Sequence, residues 1–230
     1  MRREFPGGGF FTPDGRLSDV SGLADRLNVF YRDHKIISKK MRLVVKTPDC
    51  VMRFAKVPPV KRRDLDGLIK NNIAGYFPNF GDFSYSYKIA GEQADGITVM
   101  LAALPEDFTA PYIEAFSRRG LTIEKLGVFQ DAAVAATDDF GGAAVFALFF
   151  PDRVSVTYIE NGSPKAAGVL LRDGADSLRA EYNMFARIHG IHGDAPLYFA
   201  EPDRTDADAC FPLAERRAVS VSGVLESYAG

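Results

Sequence analysis

Residues 53–78 read RFAKVPPVKRRDLDGLIKNNIAGYFP and carry the order of elements that decides the fold. The stretch opens inside a β-branched and aromatic run that predicts a strand over residues 51–57. Pro58 and Pro59 end this strand because neither can donate a ladder hydrogen bond. An amphipathic helix is predicted over residues 61–75, closed by Pro78, from five residues at helical spacing: Leu65, Leu68, Ile69, Ile73 and Tyr76.

The segments on either side of this stretch also alternate between strand and helix patterns. They predict a helix over 21–31, a strand over 41–45, strands over 83–89 and 97–104 that pair as a hairpin, and a helix that starts near 105–107 and ends near 118–120. Pro111 lies inside this last helix, so we expect either a kink or a start near Thr109. Residues 50–120 are therefore predicted to form a compact β-α-β-β-α unit with two helices on one face of its sheet.

The rest of the chain mixes hairpins and helices. The patterns predict strands over 143–150, 153–159, 164–171 and 196–200, a helix over 174–188, and a final helix near 217–228. The pair Asn161-Gly162 favours a type I′ turn between the second and third of these strands. The buried face of the 174–188 helix is expected to hold Leu178, Tyr182, Phe185 and Ile188. The fold class is therefore α+β or α/β.

Charge and hydropathy exclude some classes of partner. The 230 residues carry 28 basic and 30 acidic side chains, which gives no global field to attract nucleic acid or an anionic membrane. The short basic clusters, Lys39, Lys40 and Arg42, and residues 61–63, are interpreted as solvated surface. The sequence has no apolar run of about 18 residues, so we expect a cytoplasmic chain with no direct membrane insertion.

We predict no catalytic residue and no metal site. His189 and His192 lie three apart, but Gly190 between them is expected to end a helix, and no third ligand is spaced nearby. The aspartates Asp203, Asp206 and Asp208 lack the glycine and the terminal glutamate of a calcium loop. Cys50 and Cys210 lie outside any CxxC spacing and are interpreted as reduced, packed thiols.

The order of the motifs resembles the PilM family of type IV pilus assembly proteins and, more distantly, the cytoplasmic part of the GspL proteins of type II secretion. The motifs that carry this resemblance are Arg53, Val57-Pro58-Pro59, Tyr76-Phe77-Pro78, Leu101-Ala102-Ala103 and Arg119-Gly120-Leu121, in that order. The resemblance extends from about Phe5 to Leu171. It implies a reduced actin-like (ribonuclease H-like) body, residues 1–49 and 121–230, and an inserted subdomain, residues 50–120, of the kind found in PilM and FtsA.

The resemblance also implies where nucleotide would bind in an actin-like protein, and the sequence departs from the family there. The hairpin with the first phosphate loop would precede the present chain, so we expect it to be absent. The second phosphate loop, Asp-Ile-Gly in the family, aligns with Leu148-Phe149-Phe150, and a phenylalanine fills the space that glycine leaves for a phosphate. Little chain follows the 174–188 helix before the next strand to form the subdomain that cradles adenine. We therefore expect no cofactor.

The function implied is a non-enzymatic cytoplasmic scaffold of a type IV pilus or type II secretion-like machine, held at the inner face of the membrane through its partners. Those partners are the cytoplasmic N-terminal segment of a PilN-like membrane protein, received in a groove between body and subdomain, and other pilus assembly components. The alternatives are an actin-superfamily ATP-binding protein and an FtsA-like filament-forming protein. The residues predicted to contact the partner are Tyr76, Phe77 and Phe80, with Pro58 and Pro59 stiffening the turn at the other end of the helix.

Overall fold

A computed structural model describes residues 9–129, 142–192, 195–200 and 216–219. In chain order the elements are α1 Val20–Asp33, β1 Lys40–Val45, β2 Val51–Val57, α2 Arg62–Tyr76, β3 Phe83–Gln93, β4 Gly96–Pro105, α3 Glu106–Ser117, β5 Thr122–Val128, β6 Ala143–Phe149, β7 Arg153–Glu160, β8 Ser163–Leu171, α4 Ala175–Ile188, β9 Leu197–Ala200 and β10 Arg216–Val219. Within these ranges, none of the helices is both long and apolar enough to cross a bilayer. The strands and helices predicted over residues 21–200 are confirmed, and β5 was not predicted.

The described strands form three sheets. The largest has the order β10-β9-β6-β7-β8, in which β6, β7 and β8 are antiparallel neighbours and β9 joins β6 in parallel. The second is antiparallel with the order β2-β4-β3, and the third pairs β1 with β5 in parallel. This mixture of parallel and antiparallel sheets with helices confirms the mixed α/β class.

The five-stranded sheet packs one face against α4. Leu178 and Phe185 of α4 are buried among the alternating apolar residues of β6, β7 and β8, which include Val145, Val154 and Val156. Asn161 and Gly162 have φ of 50° and 69°, as the predicted type I′ turn requires. Ile188 is 68% exposed, so its predicted burial is wrong. Helical periodicity continues to the last turn, but burial on this helix is limited to Leu178 and Phe185, about three turns and one turn before its end, respectively.

The final predicted helix is also wrong where the structure describes it. Residues 216–219 form β10, which pairs in parallel with β9 in the register Arg216↔Leu197 to Val219↔Ala200. A four-residue segment takes its conformation from such a neighbour because local propensity is a weak determinant at that length. The rest of the prediction, residues 220–228, lies outside the described residues.

The three-stranded sheet has its own core beneath α2. Leu65 and Ile69 of α2 are 2% and 0% exposed and pack on Val99 and Leu101 of β4. The predicted burial of Ile69 is therefore confirmed, while Leu68 and Ile73 are only partly buried at the rim of this core.

The helix α3 belongs to a different core, which corrects the prediction of two helices on one face of this sheet. Its buried residues Phe108 and Phe116 cluster with Leu23 and Leu27 of α1 and with Val45 of β1. Helix α3 begins at Glu106 and contains Pro111, so the alternative start near Thr109 is wrong. The division of the chain at residues 50 and 120 stays a prediction, although the packing groups α3 with α1 and the β1–β5 sheet.

Candidate functional site

A groove separates the three-stranded sheet from strand β5. Its volume is about 330 Å³. The lining residues come from β3, β4 and β5: residues 84–88 of β3; Met100, Ala102 and Leu104 of β4; and residues 125–128 of β5. The groove thus lies at the junction between the sheet that α2 covers and the core that contains α1 and α3.

The pattern of lining residues defines the floor and the walls. Alternate residues of β4 line the groove, and Ser84, Ser86 and Lys88 of β3 pair directly with them, so these two strands present one face of their sheet to it. Consecutive residues of β5 form the opposite wall. Among the described strands, β3 is the outer strand of its sheet, and β5 pairs only with β1. A strand edge offers N–H and C=O groups for pairing with an extended segment. Both strands that flank the apolar floor of the groove, β3 and β5, therefore have an edge of this kind among the described strands.

The side chains around the groove are polar at its rim and apolar at its base. Met100 and Leu104 are buried in the floor, and Ser84 and Ser86 are exposed along β3. The ammonium-bearing side chains Lys88 and Lys125 also line the groove, one on each wall. An apolar base with hydroxyl and ammonium groups at the rim suits a segment with alternating apolar and polar or acidic residues.

The groove continues along β5 into a second cavity of about 350 Å³. The two cavities share Ser84 and Leu126, and the second is lined on its other side by α3, where Ile113 is 50% exposed. Between them the cavities run beside the whole of β5, a length on the order of 20 Å for seven residues at strand rise. This length is enough for an extended segment of about six residues.

The residues predicted to contact a partner lie elsewhere. Tyr76, Phe77 and Phe80 pack on the α2 side of the three-stranded sheet, where the Phe77 and Phe80 ring centroids are 5.9 Å apart. The Phe77 side chain is 2% exposed, whereas Tyr76 and Phe80 are half-buried. Pro58 and Pro59 are exposed at the opposite end of α2. The structure brings the aromatic residues together, apart from the prolines and from the groove, and their role in binding stays a prediction.

The resemblance implied a groove between body and subdomain, but sequence reasoning missed the residues that line this groove because it did not predict β5. One signal was available: residues 97–104 of β4 are apolar at nearly every position, which is typical of a strand covered on both faces. Odd-numbered residues such as Leu101 face α2, and the even-numbered Met100, Ala102 and Leu104 face the groove. The second apolar face therefore indicated a further packing or binding surface.

The turn between β6 and β7 is where the family resemblance would place the second phosphate loop. Leu148, Phe149 and Phe150 are buried there, and the Lys46 Nζ lies 5.6 Å from the centroid of the Phe150 ring. The Arg172 guanidinium donates a hydrogen bond to the Phe150 carbonyl, at 3.2 Å from Nη1 to the oxygen. Aromatic side chains occupy this turn, so it offers no glycine against which a phosphate could approach the backbone.

His189 and Cys50 have no metal-ligand geometry in the part of the chain that the structure describes. His189 caps α4 and its ring lies 4.7 Å from that of Phe185, and Gly190, with φ of 65°, ends the helix. Across the described ranges, groups of three or more potential metal-ligating side chains do not occur. Cys50 is a buried free thiol. Cys210 and the aspartates at 203, 206 and 208 lie outside the described residues.

Comparison with known proteins relates the fold to solved structures. No protein-family model and no curated protein sequence matches the chain. A PilM–PilN type IV pilus biogenesis complex matches with a TM-score of 0.70 and 14% identity, over 96% of this chain and 81% of the other. A Bacteroides thetaiotaomicron protein with an actin-like ATPase fold matches with a TM-score of 0.52 and 8% identity, over 88% and 80%. The cytoplasmic domain of EpsL, an inner-membrane component of the Vibrio cholerae type II secretion system, matches with 0.51 and 10%, over 91% and 79%.

These matches define the class of protein: the chain has an actin-like fold in a reduced form. Within that class, the expected resemblance to PilM and to the cytoplasmic domain of a GspL-type protein is confirmed at the level of the fold. The structural similarity establishes the fold. Because all three identities are 14% or below, these matches do not establish the activity of the chain.

Proposed function

We propose that the chain is a non-enzymatic scaffold on the cytoplasmic side of a type IV pilus or type II secretion-like machine. Its groove receives the cytoplasmic N-terminal segment of a PilN-like inner-membrane protein, which holds the chain at the inner face of the membrane. The observation that carries this proposal is an apolar floor between two strands, β3 and β5, each of which has an edge without a partner strand in the described residues. The similarity in fold to the PilM chain of a PilM–PilN complex supports it.

The geometry favours an extended segment over a helix. An α-helix with its side chains is about 10 Å across and buries its own backbone groups, so it would leave both strand edges without partners. An extended segment pairs its backbone with one edge and sends alternate side chains toward the floor. Apolar side chains of that segment would contact Met100 and Leu104, and an acidic side chain would lie near Lys88 or Lys125.

The same proposal accounts for the aromatic turn between β6 and β7. Phe150 is buried where an actin-like ATPase would hold phosphate, so the chain is expected to bind through its groove without using nucleotide. Thermal unfolding with and without magnesium and ATP tests this. A nucleotide at 100 times its dissociation constant would raise the stability by about 2.7 kcal/mol. An unchanged melting temperature at millimolar ATP supports the scaffold, whereas a magnesium-dependent increase would support the ATP-binding alternative.

Binding can be tested with a synthetic peptide that copies the cytoplasmic N-terminal segment of the PilN-like protein from the same genome. Ser86 is exposed and lines the groove, so Ser86→Trp should fill the groove while the core stays intact. Asn71 is exposed on α2, on the other side of the sheet, so Asn71→Trp is the matched control. We expect at least tenfold weaker peptide binding for Ser86→Trp and wild-type binding for Asn71→Trp. Equal binding by all three proteins would contradict the groove.

The aromatic cluster at the end of α2 is a second proposed contact for the same partner. Tyr76 and Phe80 expose part of their rings, and Phe77 supports Phe80 from the core. Phe80→Ser removes a half-buried ring, whereas Phe77→Ser also opens a cavity in the core. Weaker peptide binding by Phe80→Ser at an unchanged melting temperature would support this contact. Unchanged binding would leave the rings, and the turn at Pro58 and Pro59, with a structural role only.

A further inference from the structure

The turn between α1 and β1 exposes an isoleucine almost completely. Ile37 is 94% exposed and its neighbour Ile36 is 36% exposed. The other large apolar side chains that are exposed in the described residues reach at most 68%, at Ile188. A fully hydrated isoleucine gains none of the stabilisation that burial of its side chain would give. The exposed Ile37 side chain is therefore available for an apolar contact with another molecule or surface.

Hydrogen bonds on both sides of Ile37 fix the turn. The N–H of Lys35 donates to the Arg32 carbonyl at 3.1 Å, and the N–H of Ile36 donates to the Tyr31 carbonyl at 2.9 Å, which together form a Schellman motif at the end of α1. Lys35 takes the left-handed position of this motif, with φ of 52°. After Ile37, the Ser38 hydroxyl donates to the Lys40 carbonyl at 2.9 Å. Ile37 therefore projects from a defined turn.

Positive charge surrounds this isoleucine. The residues on either side carry five exposed basic side chains, Arg32, Lys35, Lys39, Lys40 and Arg42, against one acidic side chain, Asp33. Asp33 pairs with Arg32, and Glu124 of β5 pairs with Lys40, with nitrogen–oxygen distances of 3.2 and 2.6 Å. Lys35 and Lys39 are exposed beside these two ion pairs and add positive charge next to Ile37, although the whole chain has a net charge of −2. The net charge therefore conceals a basic surface at this end of the body.

We propose that this turn, residues 34–40, adsorbs to an anionic lipid surface, with Ile37 inserted among the headgroups and the surrounding basic side chains against the phosphates. The surface of such a membrane has anionic headgroups over an apolar acyl-chain region. An exposed apolar side chain with basic side chains around it can therefore contact both layers. The contact goes beyond the groove and does not depend on it. The contact is peripheral and crosses no bilayer, but it places one side chain in the headgroup layer and so departs from the expectation of no direct membrane insertion.

A lipid surface fits these observations better than an acidic protein does. Ile37 is 94% exposed, and residues 34–40 line neither cavity of the groove, so a protein partner would have to supply the whole pocket for Ile37. A bilayer needs no such complementary shape, because its headgroup layer deforms around a single side chain. A basic side chain near an anionic membrane contributes about 1 kcal/mol, which is roughly fivefold in the partition coefficient.

The test is sedimentation of the purified chain with sucrose-loaded vesicles of phosphatidylcholine alone or with about a third phosphatidylglycerol, at low salt. We expect partition to the anionic vesicles only. Ile37→Ser should reduce the partition coefficient about tenfold, since it removes the apolar contact. The double change Lys35→Gln and Lys39→Gln should reduce it on the order of 25-fold. Both sites are exposed, so these variants should keep the wild-type melting temperature.

Two matched controls distinguish binding through this turn from nonspecific adsorption of the protein to vesicles. Ile188→Ser removes another exposed isoleucine, and Lys61→Gln with Arg63→Gln removes two charges from the other basic cluster. Both controls should partition as the wild type does. The proposal is overturned if the wild type does not sediment with anionic vesicles, which is the result expected for an acidic protein partner. Equal losses for the controls and for the variants of the turn would overturn it as well.

Discussion

The guanidinium of Arg16 and the carboxylate of Asp49 form an ion pair, with 2.6 Å between Nη2 and Oδ2. The same guanidinium donates a hydrogen bond from Nη1 to Oδ2 of Asp107 at 3.1 Å. Asp49 lies just before β2, and Asp107 lies just after β4, so the two carboxylates mark where the chain enters and leaves the three-stranded sheet. One side chain thus ties together both connections between this sheet and the rest of the protein.

Arg16→Ala should destabilise the protein at this junction. The Asp49 side chain is 18% exposed, so losing its partner leaves a partly buried carboxylate without its counter-ion. We expect the free energy of unfolding in urea to fall by about 1–2 kcal/mol. Arg32→Ala is the control, because the Arg32–Asp33 pair is exposed and should contribute less than about 0.5 kcal/mol. Equal losses for the two variants would contradict a special role for Arg16.

Ile69→Ala should destabilise the three-stranded sheet. The side chain is 0% exposed in the core between α2 and β4, so its truncation leaves a cavity and costs roughly 2–5 kcal/mol. Lys70→Ala, at the neighbouring exposed position, should change the stability by less than about 0.5 kcal/mol. Chemical denaturation measures both variants. A loss below about half a kilocalorie for Ile69→Ala would show that this helix face is not buried.

Tyr112 should make the stability depend on alkaline pH. Its hydroxyl donates to the Gly15 carbonyl, and burial raises the pKa of Tyr112 to about 12 from its ordinary value of 10.0. Since the folded state favours the neutral phenol, this stabilisation is complete below pH 10 and is lost as the pH rises from 10 toward 12.

Comparison with Tyr112→Phe isolates this group from the other tyrosines. The variant should lose about 0.5–1.5 kcal/mol at neutral pH with the hydrogen bond, and its stability should decline less between pH 10 and 12 than that of the wild type. Urea denaturation at a series of pH values gives both results. Parallel pH profiles for the two proteins would show that Tyr112 ionises equally easily in the folded and unfolded states.

Two glycines should respond in opposite directions to replacement by alanine. A Cβ at Gly168 would lie 3.1 Å from two ring carbons of Phe185, so Gly168→Ala should cost about 1 kcal/mol or more through overpacking. A Cβ at Gly67, inside α2, would meet nothing within 4 Å, so Gly67→Ala should stabilise the protein by about 0.5–1 kcal/mol. Melting temperatures shifted in the same direction would contradict the packing at Gly168.

The sequence predicted most of the elements because their signals are local. The alternation from Phe83 to Ile89 and the pair Asn161-Gly162 specify their conformations without distant contacts. Strand β5 escaped prediction because its run Thr-Ile-Glu-Lys-Leu-Gly-Val breaks its alternation at Glu124-Lys125, where a register shift opposite Met41 and Arg42 also interrupts its pairing with β1. Pairing with β1 is a long-range property that no short window carries.

The candidate site was harder to predict than the fold. The aromatic residues near Phe77 are conspicuous in the sequence, yet Phe77 packs into a core. The groove is built from the edge of β3, the second face of β4 and the unpredicted β5, which come together only in three dimensions. Likewise, the interpretation of Lys39, Lys40 and Arg42 as solvated surface took no account of Ile37, because exposure cannot be read from residue type.

The parallel pairing of β1 with β5 has a consequence for the order of folding. Lys40 and Thr122 are partners, so an unfolded chain must close a loop of about 80 residues before this sheet can form. If the three-stranded sheet folds first, its paired ends near Val51 and Ala103 shorten that loop to fewer than about 30 flexible residues, which lowers the closure cost by about 1 kcal/mol. We therefore expect the antiparallel sheet to form early and the β1–β5 sheet to follow. In stopped-flow refolding, Ile69→Ala would then slow the burial of Tyr112 in the other core, although the two side chains belong to separate clusters.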